Sequence, residues 1–186
     1  MKILLLSDTH GNLDKVYEIY EKLTGIDLII HCGDYQRDAH QLEDTLGIPV
    51  ISVKGNCDRC QQTDRAFVDT PYGRIMVTHG HMESCKTNYN QLLYAAEEAG
   101  CIAVCFGHTH RPVCENFSGI HLINPGSLSQ PRDGTNGSYA ILRSTREDFY
   151  ANIIYYDTVC GPQTKKKEKN VKGGFLRGLL NYSDRF

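Results

Sequence analysis

The chain opens on "KILLLS", Lys2 to Ser7, an unbroken apolar run that passes directly into "DTHGN". A half-exposed strand alternates apolar and polar positions, so a continuous run of this length reads as a strand buried on both faces. The period then changes. Leu13, Val16, Ile19, Tyr20 and Leu23 recur at helical spacing, which predicts a helix packed along one stripe. "DLIIHCGD" and "PVISVKGNCD" repeat the same grammar of apolar strand, glycine and polar loop, with a short helix expected between them around "HQLEDTLG". Strands alternating with helices predict an α/β fold with a largely parallel sheet.

"AFVDTPYGRIMVTHGH" reads as two strands turning at Pro71, Tyr72 and Gly73, the hairpin of a mixed sheet. "NYNQLLYAAEEAG" predicts a helix stopped by Gly100, and "CIAVCFGHTH" a further buried strand. "GIHLINPGS", "GSYAILRS" and "EDFYANIIYYD" are expected to be strands of an antiparallel portion, the last half exposed. After Gly161 the composition shifts to "PQTKKKEKNVKGG". The chain is therefore divided into a domain over residues 1–161 and, over 162–186, a charged linker with a short amphipathic helix. That helix gathers Phe175, Leu176, Leu179 and Leu180 on one side; it either docks on its own domain or forms a homodimer contact.

At 186 residues the chain suits a single core. Its net charge of −2 supplies no overall basic field, which argues against nucleic acid as a partner. No apolar run approaches the ~20 residues needed to cross a bilayer, and the first strand reaches Asp8 too soon for a signal peptide. A cytoplasmic protein with no membrane contact is expected. The eight cysteines are scattered, several within apolar runs, and are expected to be buried thiols. Cys57 and Cys60 have the spacing of a redox or zinc motif, but no second such pair completes a four-ligand zinc site.

The polar strand ends carry the candidate chemistry: Asp8 and His10, Asp34, Asn56, His79 and His81, His108 and His110. Each one alone reads more simply as a cap, a turn residue or a hydrogen-bonded histidine. Five separate strand ends delivering Asp, Asn or His are harder to explain that way. In an open α/β sheet the carboxyl ends of strands converge on one crevice, so these residues are expected to meet. In extended chain His108 and His110 would face one side with Thr109 turned away, and Asp8 and His10 would do the same. The set is too large for one ion, and two metals sharing a carboxylate, Asp34 by choice, are expected.

"DTHG", "GD", "GNCD", "HGH" and "GHTH", in that order from Asp8 to His110, resemble the signature boxes of the calcineurin-like metallophosphoesterase superfamily. The compact length, "GNCD" and "NPGS" at Asn124 to Ser127 are similar to its small bacterial and archaeal phosphodiesterase branch. The resemblance covers about the first three quarters of the chain. It implies a four-layer αββα sandwich with two mixed β-sheets and a metal site at the C-terminal strand edge. Carried over box by box, it implies one metal on Asp8, His10 and His110, another on Asn56, His79 and His108, and Asp34 between them. His81 has no ligand counterpart; it is expected to support the ligands or to touch a substrate phosphate.

Two cations about 3.5–4 Å apart ionise a bridging water and clamp a phosphoryl oxygen, so a bridging hydroxide is the expected nucleophile. No nucleophile elbow or Walker loop offers a competing chemistry. Many relatives place a histidine after the metal-binding asparagine to protonate the leaving group, where this chain has Cys57. A thiol matches that task poorly near neutral pH. Asn56, Cys57 and His81 are thus the candidate catalytic side chains. The mixed oxygen and imidazole set suits manganese, taken first, with nickel, zinc, iron and cobalt as alternatives.

The expected function is hydrolysis of small-molecule phosphodiesters, with Arg37, Arg59 and Arg132 as candidate phosphate contacts, although a surface charge is the simpler reading of each. The rivals are a protein-interaction scaffold on the same fold, as in a retromer subunit of the superfamily, a nuclease, and a thiol redox protein using Cys57 and Cys60.

Overall fold

The computed structural model describes residues 1–59, 61 and 63–161. Cys60 and the proposed linker and helix over 162–186 lie outside the described residues.

β1 (Lys2–Leu6), β2 (Leu28–His31) and β3 (Val50–Ser52) run parallel, joined by the helices α1 (Asp14–Tyr20) and α2 (Gln36–Leu46). β9 (Ser138–Ser144) pairs antiparallel with β1, and β10 (Phe149–Tyr155) with β9, giving a sheet ordered β10-β9-β1-β2-β3. The second sheet is ordered β4-β5-β6-β8-β7. It is built from the hairpin β4 (Arg65–Asp69) and β5 (Arg74–Thr78), then β6 (Ala103–Cys105), β7 (Pro112–Phe117) and β8 (Ile120–Pro125). α3 (Asn90–Glu98) links β5 to β6, and the short α4 (Tyr156–Val159) follows β10.

The apolar runs follow from this layering. Ile3 and Leu5 of β1 face the space between the sheets, together with Leu28 and Ile30 of β2 and Ile75, Val77, Ala103 and Cys105 of the second sheet. Leu4, Leu6 and Ile29 point the other way, onto Val16 and Ile19 of α1 and Leu42 of α2. Met76 and Val104 face outward from the second sheet onto Leu92 and Ala96 of α3. Both faces of each central strand are covered, which gives the four-layer αββα sandwich. Each fully buried Leu or Ile contributes roughly 1.5–3 kcal/mol relative to exposure, and this core fixes where the strand ends lie.

Three sequence expectations change. The helix expected around "HQLEDTLG" begins four residues earlier, at Gln36. β7 was not anticipated. Its sequence "PVCENF" opens on a proline and is mostly exposed, as suits the outermost strand of its sheet. The sequence places "GIHLINPGS" in the antiparallel portion, but β8 is parallel to β6 and antiparallel only to β7.

Candidate metal centre

β1, β2 and β3 in one sheet and β5 and β6 in the other all end at the same rim, so the loops after them meet across the gap between the sheets. The first sheet contributes Asp8, His10, Asp34 and Asn56, and the second His79, His81, His108 and His110. The loops are stitched together by backbone. Asp8 N donates to Gly33 O at 3.0 Å, and Gly107 N to His79 O at 3.1 Å. The His108 amide donates across the sheets to Asp8 Oδ2 at 3.0 Å. Glycine is required where these loops touch: a Cβ on Gly55 would lie 2.0 Å from Asp34 Oδ1, and one on Gly107 1.9 Å from Ser7 Oγ.

The paired residues do not sit in extended chain, which corrects the expectation for Asp8/His10 and His108/His110. All four have left-handed backbone, with φ of 55°, 48°, 67° and 56°, and Asp34 shares it at 60°. Asp, Asn and His tolerate that region better than most residues. The expected outcome nevertheless holds. Thr9 and Thr109 turn away from the crevice, Thr9 toward His31 and Asp38 and Thr109 toward Asn124, while the flanking ligand candidates face into it.

Asp8 and His79 are fully buried, and Asp34 and His110 nearly so. Three groups of side chains bring their ligand atoms within 4.8 Å of one another: Asp8, His10 and His110; Asp8, Asp34 and His79; and His10, Asp34 and Cys57. Asn56 Oδ1 lies 3.2 Å from His79 Nε2, next to the second group. His108 joins none of the three; its ring stands 5.1 Å from that of His79, centroid to centroid. His81 sits behind, 5.3 Å from His79 and 6.1 Å from His108.

The histidine tautomers are set by chemistry. His79 Nδ1 lies 2.7 Å from Cys32 O and His110 Nδ1 2.6 Å from Gln130 O. A carbonyl only accepts, so both Nδ1 atoms carry the proton and both Nε2 lone pairs face the crevice. There His110 Nε2 meets His10 Nε2 at 3.2 Å and Asp8 Oδ1 at 3.3 Å, while His79 Nε2 meets Asp34 Oδ1 at 3.4 Å. Asp8 is lopsided. Its Oδ2 accepts from Ser7 Oγ at 2.6 Å and from the His108 amide, whereas its buried Oδ1 has no hydrogen-bond partner among the described residues. A buried carboxylate oxygen without a donor, ringed by imidazole lone pairs, is what a cation needs and what a water-filled or apolar pocket would not supply. The donor set fits divalent metal ions.

Electrostatics agree. Burial raises the Asp8 carboxyl, but His110, His79 and Ser7 outweigh it and hold the group below its ordinary value, so it is ionised. Burial pulls His108 down to about 4 and lowers His81, keeping both neutral. Burial also pulls on His110, yet the Asp8 carboxylate and the Gln130 carbonyl raise it, so a proton competes with a cation for its Nε2. Desolvation and then Asp34 push the Cys57 thiol up to about 11. That is the opposite of the depressed pKa that makes a cysteine reactive, and it weighs against the redox reading.

Several supporting residues escaped the sequence reading. Gly33 N donates to His31 Nδ1 at 3.3 Å, leaving His31 Nε2–H to donate to Thr9 Oγ1 at 2.9 Å. Thr9 in turn donates to Asp38, which also accepts from the Gly11 amide at 2.8 Å. Asp58 accepts from the amides of Tyr35, Gln36 and Gly55, tying the Asp34 loop to the Asn56 loop. Ser127 and Ser129 both donate to Asp8 O at 2.9 Å. The "GNCD" and "NPGS" boxes contained Asp58 and Ser127, but only the folded loops show what they hold.

Residues 1–147 match the model of the calcineurin-like phosphoesterase superfamily domain. The chain is 37% identical over 161 residues to the probable metallophosphoesterase YsnB of Bacillus subtilis, covering 84% of this chain and 91% of that one. It is 28% identical over 175 residues to the phosphodiesterase YfcE of Escherichia coli K12, covering 76% and 87%. Among solved structures, a predicted phosphoesterase from Streptococcus pneumoniae superposes with a TM-score of 0.71 at 29% identity, over 84% of this chain and 90% of that one.

Proposed function

Because the chain belongs to the calcineurin-like phosphoesterase superfamily, whose chemistry is phosphoester hydrolysis, we propose that it is a binuclear metal-dependent phosphodiesterase acting on small-molecule diesters. The carrying observation is the unpartnered Asp8 Oδ1 facing the Nε2 atoms of His79 and His110 in a buried crevice. One ion is assigned to Asp8, His10 and His110, the other to Asn56, His79 and His108, with Asp34 shared and manganese as the preferred ion. When bound, two divalent ions supply Lewis acidity toward the phosphoryl oxygens and ionised water as the nucleophile.

The chain's own residues orient and exclude. The carbonyls of Cys32 and Gln130 keep the Nδ1 protons of His79 and His110 in place, so both rings present Nε2 to the crevice without rearrangement. Ser7 and the His108 amide occupy Asp8 Oδ2 and leave Oδ1 as the free donor atom. The neutral His81 is assigned to the substrate phosphate. Cys57, at the open side, keeps its proton on Sγ at neutral pH and gives weak help to a poor leaving group. Aryl diesters are therefore the favoured test substrates.

Chelated protein reloaded with manganese is expected to hydrolyse bis(p-nitrophenyl) phosphate, with two manganese ions bound per chain, and to lose both properties in Asp34→Asn. Hydrolysis that persists in chelator, or full activity in Asp34→Asn, would overturn the reading. Metal binding without turnover of any diester would favour the scaffold instead.

A further inference from the structure

Beside the crevice lies a pocket of about 360 Å³ lined by Tyr35, Gln36, Arg37, Cys57, Asp58 and Arg59. It opens on the metal centre through Cys57, the residue whose sulfur stands within 4.8 Å of ligand atoms of His10 and Asp34. Two arginines project here, both exposed. Elsewhere Arg65 is paired with Glu83 at 2.7 Å and Arg74 with Asp69 at 2.8 Å. Arg37 and Arg59 have no ion pair or side-chain hydrogen bond among the described residues.

The one carboxylate in the pocket does not neutralise them. Asp58 spends Oδ1 on the amides of Tyr35 and Gln36, at 3.0 and 2.7 Å, and Oδ2 on the amide of Gly55 at 2.8 Å. Those three bonds disperse its charge into the backbone and fix the two loops as walls. Two guanidinium groups with no ion pair among the described residues, on walls tied by Asp58 next to the proposed phosphoester site, suit a second phosphate, which an arginine fork binds through parallel charge-assisted hydrogen bonds.

We propose that this pocket is a second-phosphate subsite, so that the preferred substrate is a diester carrying a further phosphate group on the side of Cys57. The inference rests on the phosphodiesterase reading above and names its substrate class. A neighbouring pocket of about 310 Å³ also holds basic residues, Lys86, Arg111 and Arg132. It is the weaker candidate, because Arg111 is already turned onto Arg132 O at 3.0 Å and the bordering Thr109 accepts from Asn124.

The test compares kcat/KM for the dinucleotide pApA with that for ApA, which lacks the terminal phosphate, in manganese-loaded enzyme. A second arm compares fructose 1,6-bisphosphate with fructose 6-phosphate as inhibitors of bis(p-nitrophenyl) phosphate hydrolysis. Wild type is expected to favour the doubly phosphorylated member by about tenfold, as one or two charge-assisted hydrogen bonds imply. The double variant Arg37→Gln/Arg59→Gln should bring the ratio to about one, whereas Arg132→Gln should leave it unchanged. Preference in both arms marks any second phosphate as sufficient; preference for pApA alone marks nucleotides as the source. A wild-type ratio near one in both arms, or a preference that survives the double variant, overturns the subsite. Hydrolysis of the aryl diester, measured in the same preparations, shows independently whether the phosphodiesterase reading stands.

Discussion

The inner wall of the site and its outer rim are built differently. On the wall, Asp8 and His79 are fully buried, and Asp8, His79 and His110 are each held by a second group: Ser7 and the His108 amide, the Cys32 carbonyl, and the Gln130 carbonyl. On the rim, Asn56, Cys57, Arg37 and Arg59 are exposed, and the two arginines have no ion pair among the described residues. A buried hydrogen-bonded network resists rearrangement, so the wall holds Asp8, His79 and His110 in place around the open oxygen of Asp8, Oδ1. The rim arginines lack such ties among the described residues, and the proposed second-phosphate subsite lies there.

Substitutions on the two sides should therefore differ in kind, and the largest difference is expected at Asp8. Asp8→Ala should abolish metal binding and turnover of bis(p-nitrophenyl) phosphate together, while Cys57→Ser on the rim retains both; metal analysis and initial rates decide. If the two variants behaved alike, the division would fail.

Ser7→Ala is the next sharpest probe, since it removes one donor from Asp8 Oδ2 without touching Oδ1. Loss of such a supporting hydrogen bond is expected to weaken manganese affinity by about 10–100-fold, measured by calorimetric titration. Unaltered affinity would show that the His108 amide alone suffices.

A third effect concerns pH. Burial lowers the pKa of His31 below its ordinary value of 6.5. The unfolded chain then takes up the proton first as pH falls, so stability declines from about pH 6.5 downward, by up to about 1.4 kcal/mol per pH unit for this group. Denaturant titrations of chelated protein should show that slope reduced in His31→Gln, which can still donate to Thr9.

The smallest effect is expected on the rim. Cys57→His replaces a thiol held at about 11 with an imidazole that titrates near neutrality. It should raise turnover of alkyl diesters relative to aryl diesters, and an unchanged ratio would remove Cys57 from any part in leaving-group departure.

The same wall and rim separate what the sequence displays from what it conceals. Apolar runs ending in Gly, Asp, Asn or His revealed the central strands, because doubly covered strands must be apolar on both faces. They also put all seven ligand candidates on one rim, because parallel strands share a carboxyl edge. The direction of β8 was illegible, since pairing is chosen by tertiary neighbours rather than by the composition of "IHLINP". Asp38 and His31 were illegible for a related reason. A buried acid–threonine–histidine chain spans residues 9, 31 and 38, and no local spacing links them. The left-handed turns at the ligand positions were hidden too, for Asp and His adopt that backbone without the glycine that usually announces it.

Those turns restrict what evolution can place there. A side chain branched at Cβ, or a plain alanine, meets a backbone penalty of roughly 1–2 kcal/mol at each such position, so Asp8, His10, Asp34, His108 and His110 are constrained by shape as well as by chemistry. A lineage that abandoned catalysis while keeping the scaffold would drift at these sites toward glycine and asparagine rather than toward the full alphabet, leaving a recognisable scar where the activity had been.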